Sequence, residues 1–92
     1  MLNIRFSNQL KRDLRLMLKR GYHQEKFSQT VKLLAENKGM PEEYKDHPLR
    51  GEWKGFRECH IEFDWLLIYR IEENELTLVL TRTGTHNDLF DR

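Results

Sequence analysis

The chain has 92 residues, of which 34% are charged and 38% hydrophobic, a length and composition that suit one compact, soluble domain spanning 1–92. No apolar run is long enough for a membrane span and the first residues lack a secretion signal, so we expect a cytoplasmic protein with no membrane partner. The net charge of +1 hides an asymmetry, because six of the sixteen basic residues lie within the first twenty positions.

The amino-terminal half predicts one strand and two helices. Residues 2–6 alternate apolar and polar side chains, which is the period of a half-buried strand. Ser7 or Asn8 can cap the helix that follows, in which apolar residues recur at helical spacing. A second helix is expected over 24–38, with Gly39 as its terminator.

The carboxyl-terminal half predicts three strands after a proline-containing loop at 40–51. Strand patterns occupy 53–62, 65–71 and 75–82, and the short polar connections between them indicate antiparallel neighbours. Residues 83–92 form a tail that can make one helical turn. The predicted fold is α+β, with the N-terminal strand and helical hairpin packed on one face of a small, mainly antiparallel four-stranded sheet. The other face stays free to hold a ligand.

The basic residues near the amino terminus have two interpretations. A cationic surface gains affinity for nucleic acid phosphates by releasing condensed counterions, but an ordinary solvated helix face has the same composition. This feature alone leaves both interpretations open. The residues concerned are Arg5, Lys11, Arg12, Arg15, Lys19 and Arg20.

The single cysteine, Cys59, excludes an internal disulfide and a multi-cysteine zinc site, in agreement with a reducing compartment. It lies in a strand-like run, which favours a small buried thiol, although the neighbouring His60 keeps a nucleophile open. The chain has neither a glycine-rich phosphate loop nor a serine-nucleophile signature, so nucleotide hydrolysis and acyl transfer have no support. We also expect no cofactor.

Three of the four histidines, His47, His60 and His86, lie in segments that also hold turn residues, carboxylates and arginines. Histidine titrates near neutral pH, so two of them can act as base and acid in one reaction. Cleavage of RNA requires no other nucleophile, because the 2′-hydroxyl of the RNA attacks the adjacent phosphorus once it is deprotonated. Cations must then stabilise the charged phosphorane. The candidate cations are Arg50, Lys54 and Arg82.

Each candidate also has a purely structural interpretation. His47 lies in a loop, where a bystander is as common as a functional group, and His60 near a strand end can be an ordinary sheet residue. His86 follows the last strand in a Thr-Gly turn, a position that favours function. Asp64 can orient an imidazole, act as an acid or cap its turn. Phe90 can stack on a base or join the core.

Three ordered strings carry a specific resemblance. They are YKDHPLRG at 44–51, WKGFRECH at 53–60 with DWLLIY at 64–69, and RTGTH at 82–86 with LF at 89–90. With these strings the chain resembles the YafQ branch of the RelE toxin family over nearly its whole length. It departs from that pattern by ending in Asp91-Arg92 and by having Cys59 before the second histidine.

The resemblance implies a RelE-like fold and the toxin of a type II toxin-antitoxin system, a ribosome-dependent endonuclease that cuts mRNA without a metal. It implies catalytic roles for His47, His60, Asp64 and His86, with Arg82 near the scissile phosphate and Phe90 assisting. The resemblance does not decide which histidine is the base and which is the acid. One arrangement makes His86 the acid and places Asp64 with His60 on the base side.

The resemblance also implies partners: the ribosome, mRNA and a small dimeric antitoxin of the DinJ type, with operator DNA bound only through that antitoxin. One alternative is a ParE-like toxin that binds DNA gyrase and has no nuclease activity. Another is a metal-dependent hydrolase, although the histidines and Asp64 lack the compact spacing of a known metal motif.

Overall fold

A computed structural model describes residues 1–90 and contains three α-helices and one sheet. The sheet order is β1-β5-β4-β3-β2, and short 3₁₀ turns occupy Glu42–Tyr44, Gly51–Trp53 and Glu73–Glu75. The element bounds are β1 Asn3–Phe6, α1 Asn8–Lys19, α2 Gln24–Glu36, β2 His47–Pro48, β3 Arg57–Glu62, β4 Trp65–Glu72, β5 Thr77–Gly84 and α3 His86–Phe90.

The α+β class is confirmed, but the sheet has five strands rather than the predicted four. The additional strand, β2, lies inside the segment that was predicted as a loop and pairs antiparallel with β3. Two residues are too few to show a period, and Pro48 argues against a central strand but fits an edge strand. The sheet is mixed, because β1 runs parallel to β5 while the other pairings are antiparallel.

Several predicted element boundaries were wrong, and the last strand spans Thr77–Gly84 rather than 75–82. The strand expected from position 53 begins at Arg57, because Gly51 and Gly55 adopt positive φ and fold the chain into a turn around Trp53. The second helix ends at Glu36 rather than at position 38. Asn37 takes the left-handed conformation that closes it, one of the few non-glycine residue types that does so readily.

The helices cover one face of the sheet. Ser7 rather than Asn8 caps α1, since its Oγ accepts a hydrogen bond of 2.9 Å from the Leu10 amide. Along β4, Leu67 and Tyr69 join the cluster packed under the helices, with Trp65 stacked on Phe27 of α2. No helix within residues 1–90 has the length and apolar character that a membrane crossing requires.

The opposite face of the sheet is only partly free. Leu66 and Ile68 alternate with the helix-side residues of β4 and are fully buried although they lie outside that cluster. Part of the cover comes from the segment before β3, where Phe56 lies 5.3 Å beneath the Arg70 guanidinium. The same face carries Glu58 and His60 of β3, which are described next.

Candidate active site

A buried carboxylate joins two of the three histidines. Strand alternation places Cys59 in the core and turns Glu58 and His60 to the other face of the sheet. Strand pairing sets His47 opposite Glu58. The Glu58 Oε1 lies 3.2 Å from Nε2 of His47 and 3.8 Å from Nε2 of His60. Since the Glu58 side chain is only 6% exposed, its charge acts in a poorly solvated position.

The third histidine is held by Asp64. His86 begins α3, and both its backbone amide (2.9 Å) and its Nδ1 (2.6 Å) contact the same Asp64 oxygen. The His86 ring lies 5.7 Å from the His60 ring, centre to centre. The arrangement that placed Asp64 with His60 was therefore wrong, because the turn between β3 and β4 directs this carboxylate towards α3.

The surroundings of His60 and Asp64 shift the pKa of each group. Burial lowers the pKa of His60, and His86 and Lys45 lower it further, while Glu58 opposes them. The backbone amide and ring of His86 lower the pKa of Asp64, so that this carboxylate is ionised at neutral pH. An ionised carboxylate only accepts hydrogen bonds, so the amide and Nδ1 of His86 face it as donors.

The segment that carries His47 is fastened to the sheet by its neighbour Asp46. The Tyr69 hydroxyl of β4 donates to one Asp46 oxygen, and the Arg57 guanidinium of β3 donates to the other at 3.2 Å. Burial and the Asp46 carboxylate raise the pKa of Tyr69, so the phenol keeps its proton and stays a donor. This anchor positions His47 although its imidazole is half exposed.

The short helix α3 is tied to α1. Arg20 caps the carboxyl end of α1, and its guanidinium contacts both Asp88 oxygens, at 2.6 and 3.2 Å. Asp88 also accepts a hydrogen bond from the Thr85 amide. The Arg20 hydrogen bond and the Thr85 contacts lower the pKa of Asp88 to about 2. Because His86 begins α3, the ion pair also steadies that histidine.

The three predicted cations lie in different surroundings. Asp13 of α1 binds Arg82 through Nε at 2.7 Å and a second nitrogen at 3.2 Å, which offsets its charge and holds it against the helix. Arg50 and Lys54 lie exposed in the segment before β3 and make no ion pair within residues 1–90. Phe90 ends α3 half-buried. Asp91-Arg92 lies outside the described residues.

The basic amino-terminal residues divide into two groups. Arg5 is paired with Glu72 and Arg20 with Asp88, so neither is a free cation. The others remain exposed on α1, and they are Lys11, Arg12, Arg15 and Lys19. Only this second group can offer an unneutralised charge to a nucleic acid.

Cys59 is fully buried, and burial raises the pKa of its thiol. This confirms the prediction of a buried structural thiol and argues against Cys59 as a nucleophile. Within residues 1–90 no three His, Cys, Asp or Glu side chains are grouped so that they could hold a metal ion. Glu58 is a site residue that the sequence analysis missed. Its position two residues before His60 in a strand was the available signal, since such residues share a face.

The sequence and the fold match known proteins. The family model for YafQ, a bacterial toxin of type II toxin-antitoxin systems, matches residues 2–91. The chain belongs to the YafQ toxin family. A YafQ relative, the mRNA interferase toxin YafQ of Escherichia coli strain K12, is 43% identical over 89 residues, which cover 96% of this chain and 95% of the relative.

Two solved structures share the fold at similar identity. The metal-bound toxin from Helicobacter pylori superposes with a TM-score of 0.91 at 42% identity, over 98% of this chain and 100% of that one. The YafQ chain of the Escherichia coli DinJ-YafQ complex gives a TM-score of 0.87 at 41% identity, over 98% and 99%. The present chain is thus a YafQ homologue of an mRNA interferase over 96% of its residues, with helices packed on a five-stranded mixed sheet.

Proposed function

We propose that this YafQ-type toxin is a ribosome-dependent endonuclease that cuts mRNA in the aminoacyl site by metal-independent acid/base chemistry. The observation that carries the proposal is the convergence of three imidazoles and two carboxylates, in which Glu58 contacts His47 and His60, Asp64 holds His86, and the His60 and His86 rings lie 5.7 Å apart. The full-length relationship to an mRNA interferase supports the same substrate.

His60 is the proposed base and His86 the proposed acid. Burial lowers the pKa of His60, so its ring is neutral at pH 7 and can take the proton of the RNA 2′-hydroxyl. The 2′-oxygen then bonds to the adjacent phosphorus and the bond from phosphorus to the 5′-oxygen breaks. His86, oriented by Asp64, protonates that departing oxygen through Nε2. The products are a 2′,3′-cyclic phosphate and a 5′-hydroxyl.

The remaining site residues stabilise charge and position the strand. Both ring nitrogens of His47 face acceptor oxygens, those of Pro48 and Glu58, and these contacts orient the imidazole in its proposed place beside the phosphorane. Arg50, Lys54 and Arg82 are proposed to bind RNA phosphates, and Phe90 to stack on a base.

The proposed partners follow from the family and from charge. A dimeric antitoxin of the DinJ type would inhibit the toxin and carry operator DNA binding, as the existence of a DinJ-YafQ complex in Escherichia coli suggests. The exposed cations of α1 suit sequence-independent contact with ribosomal RNA. A toxin that acts on ribosomes would be located in the cytoplasm.

Cleavage of a defined mRNA tests the proposal. The purified protein is incubated with the message with and without ribosomes, in the presence of chelator, and the new 5′ ends are mapped to codons. We expect cuts that require ribosomes and persist in chelator. His86→Ala should lower the rate by about a hundredfold or more, since a general acid contributes on that order. His23→Ala is the matched control, because His23 is exposed between α1 and α2 and makes no cap hydrogen bond.

Three outcomes would contradict the proposal. Full cleavage by a folded His86→Ala variant would show that His86 is not the general acid. Activity that disappears in chelator points to the metal-dependent alternative. A message left intact under every condition, together with DNA damage on expression, would favour a gyrase-binding toxin of the ParE type.

A further inference from the structure

The turn between β3 and β4 exposes an aromatic ring beside the proposed active site. Phe63 is 89% exposed, although it lies between Glu62 and the site residue Asp64. Neither turn residue has a positive φ, and turn positions ordinarily take polar residues or glycine. The ring therefore serves neither the core nor the turn.

Phe63 borders a cavity that opens next to the catalytic groups. The cavity has a volume of about 310 Å³, which lies at the lower end of the range for small-ligand pockets. It lies between α2, the 42–44 turn and the end of β3. Its lining includes His60, the proposed base, together with Tyr44, Gln29 and Lys26. One cavity thus combines aromatic rings and an amide with a residue of the proposed site.

We propose that Phe63 stacks on a base of the substrate RNA and that the edge of this base enters the cavity. The inference rests on the proposed function and assigns a substrate subsite to it. Aromatic rings with polar neighbours are what single-stranded RNA recognition uses, since unstacked bases have a π-face and hydrogen-bonding edges. The Gln29 amide and the Tyr44 hydroxyl supply donors and acceptors at the cavity wall.

The position of His60 determines which nucleotide this is. His60 takes the 2′-hydroxyl proton in the proposed mechanism and also lines the cavity. The base nearest Phe63 therefore belongs to the nucleotide that carries the attacking hydroxyl, on the 5′ side of the cleaved bond. A protein partner fits less well, because the wall carries an ion pair of 3.0 Å between Lys26 and Glu62 and little apolar surface for an anchor.

An abasic-site experiment tests the inference. Ribosomes are programmed with mRNA that carries either a normal base or an abasic nucleotide on the 5′ side of the cleaved bond. Cleavage is measured for wild type, Phe63→Ala, Phe63→Leu and Phe63→Trp. With the normal base, we expect Phe63→Ala and Phe63→Leu to be about tenfold slower than wild type and Phe63→Trp to retain activity, as stacking requires. With the abasic nucleotide, wild type and Phe63→Ala should cleave at the same reduced rate.

Leu76→Ala is the matched control. Leu76 is another exposed apolar residue, 64% accessible, in the connection at the far end of β4. Its substitution should leave cleavage unchanged on both messages.

Several results would overturn the inference. Equal cleavage of the normal message by wild type and Phe63→Ala would remove the subsite and leave the proposed function intact. Full cleavage by Phe63→Ala with weakened antitoxin binding would place the ring in a protein interface instead. An equal loss on normal and abasic messages would show that the ring does not contact that base. Failure of the wild type to cut either message overturns the proposed function, and the inference with it.

Discussion

Among single residues, Glu58 has the largest influence on the site, because its buried carboxylate contacts His47 and acts on His60. It raises the pKa of His60 against the effect of burial. Asp64 holds the His86 ring by its Nδ1. Each carboxylate thus orients an imidazole, as the proposed base and acid require.

Glu58→Gln should move the pH dependence of cleavage. Removal of the negative charge lowers the pKa of His60, and a base works only when unprotonated, so the acidic limb of the pH-rate profile should shift to lower pH. Loss of orientation should also reduce the maximal rate by roughly tenfold. Single-turnover rates between pH 5 and pH 8 measure both effects. An unshifted limb would mean that Glu58 is structural or that His60 is not the base.

Asp64→Asn should act through His86. The amide cannot hold the Nδ1 proton as a carboxylate does, so we expect a loss of about tenfold or more in the cleavage rate. The decisive measurement is the double variant. Asp64→Asn should cost little further activity in a His86→Ala background, because residues that act as a unit are not additive. A full additional loss there would give Asp64 an independent role.

Among the structural elements, two segments outside the central strands present the site. The segment before β3 carries His47 and is fastened through Asp46 to Tyr69 and Arg57. Helix α3 carries His86 and is fastened to α1 through Asp88. Both fastenings are side-chain contacts between residues distant in sequence, so each can be loosened without removing a strand of the sheet.

Tyr69→Phe should loosen the first fastening. It removes the hydroxyl that donates to Asp46 while keeping the buried ring, and a lost hydrogen bond to a charged group typically costs about 1.5–3 kcal/mol. We expect lower stability in urea unfolding and slower cleavage, because His47 is less well positioned. Tyr22→Phe is the control, since the Tyr22 ring packs on Trp65 away from this anchor. Unchanged cleavage by a destabilised Tyr69→Phe variant would contradict the positioning role.

Over the whole molecule, ion pairs within the chain neutralise some of the basic side chains and leave others exposed. Arg5, Arg20 and Arg82 are bound by carboxylates of this chain, whereas the exposed cations of α1 are not. The near-neutral net charge therefore coexists with a localised basic surface. Because these ion pairs need ionised carboxylates, the stability of the fold depends on pH, as Asp88 illustrates.

Acid should destabilise the protein partly through Asp88. Its pKa in the folded state is about 2, below the value of roughly 3.9 for an unfolded aspartate. The folded form therefore gains stability from this group above about pH 4 and loses it as the pH falls towards 2. Asp88→Asn should lower Tm at pH 7 and show a smaller further decrease between pH 4 and pH 2. Parallel curves for variant and wild type would exclude the contribution.

The sequence by itself determined the α+β class, the two long helices, the three long strands and the buried thiol, because each depends on a local period or composition. It also determined the family, through three ordered motifs. Only the tertiary structure decided the two-residue strand β2, the parallel pairing of β1, the Glu58 bridge and the partner of Asp64. Strand register and turn direction set these contacts, and they join residues such as Asp64 and His86 whose proximity no local pattern encodes.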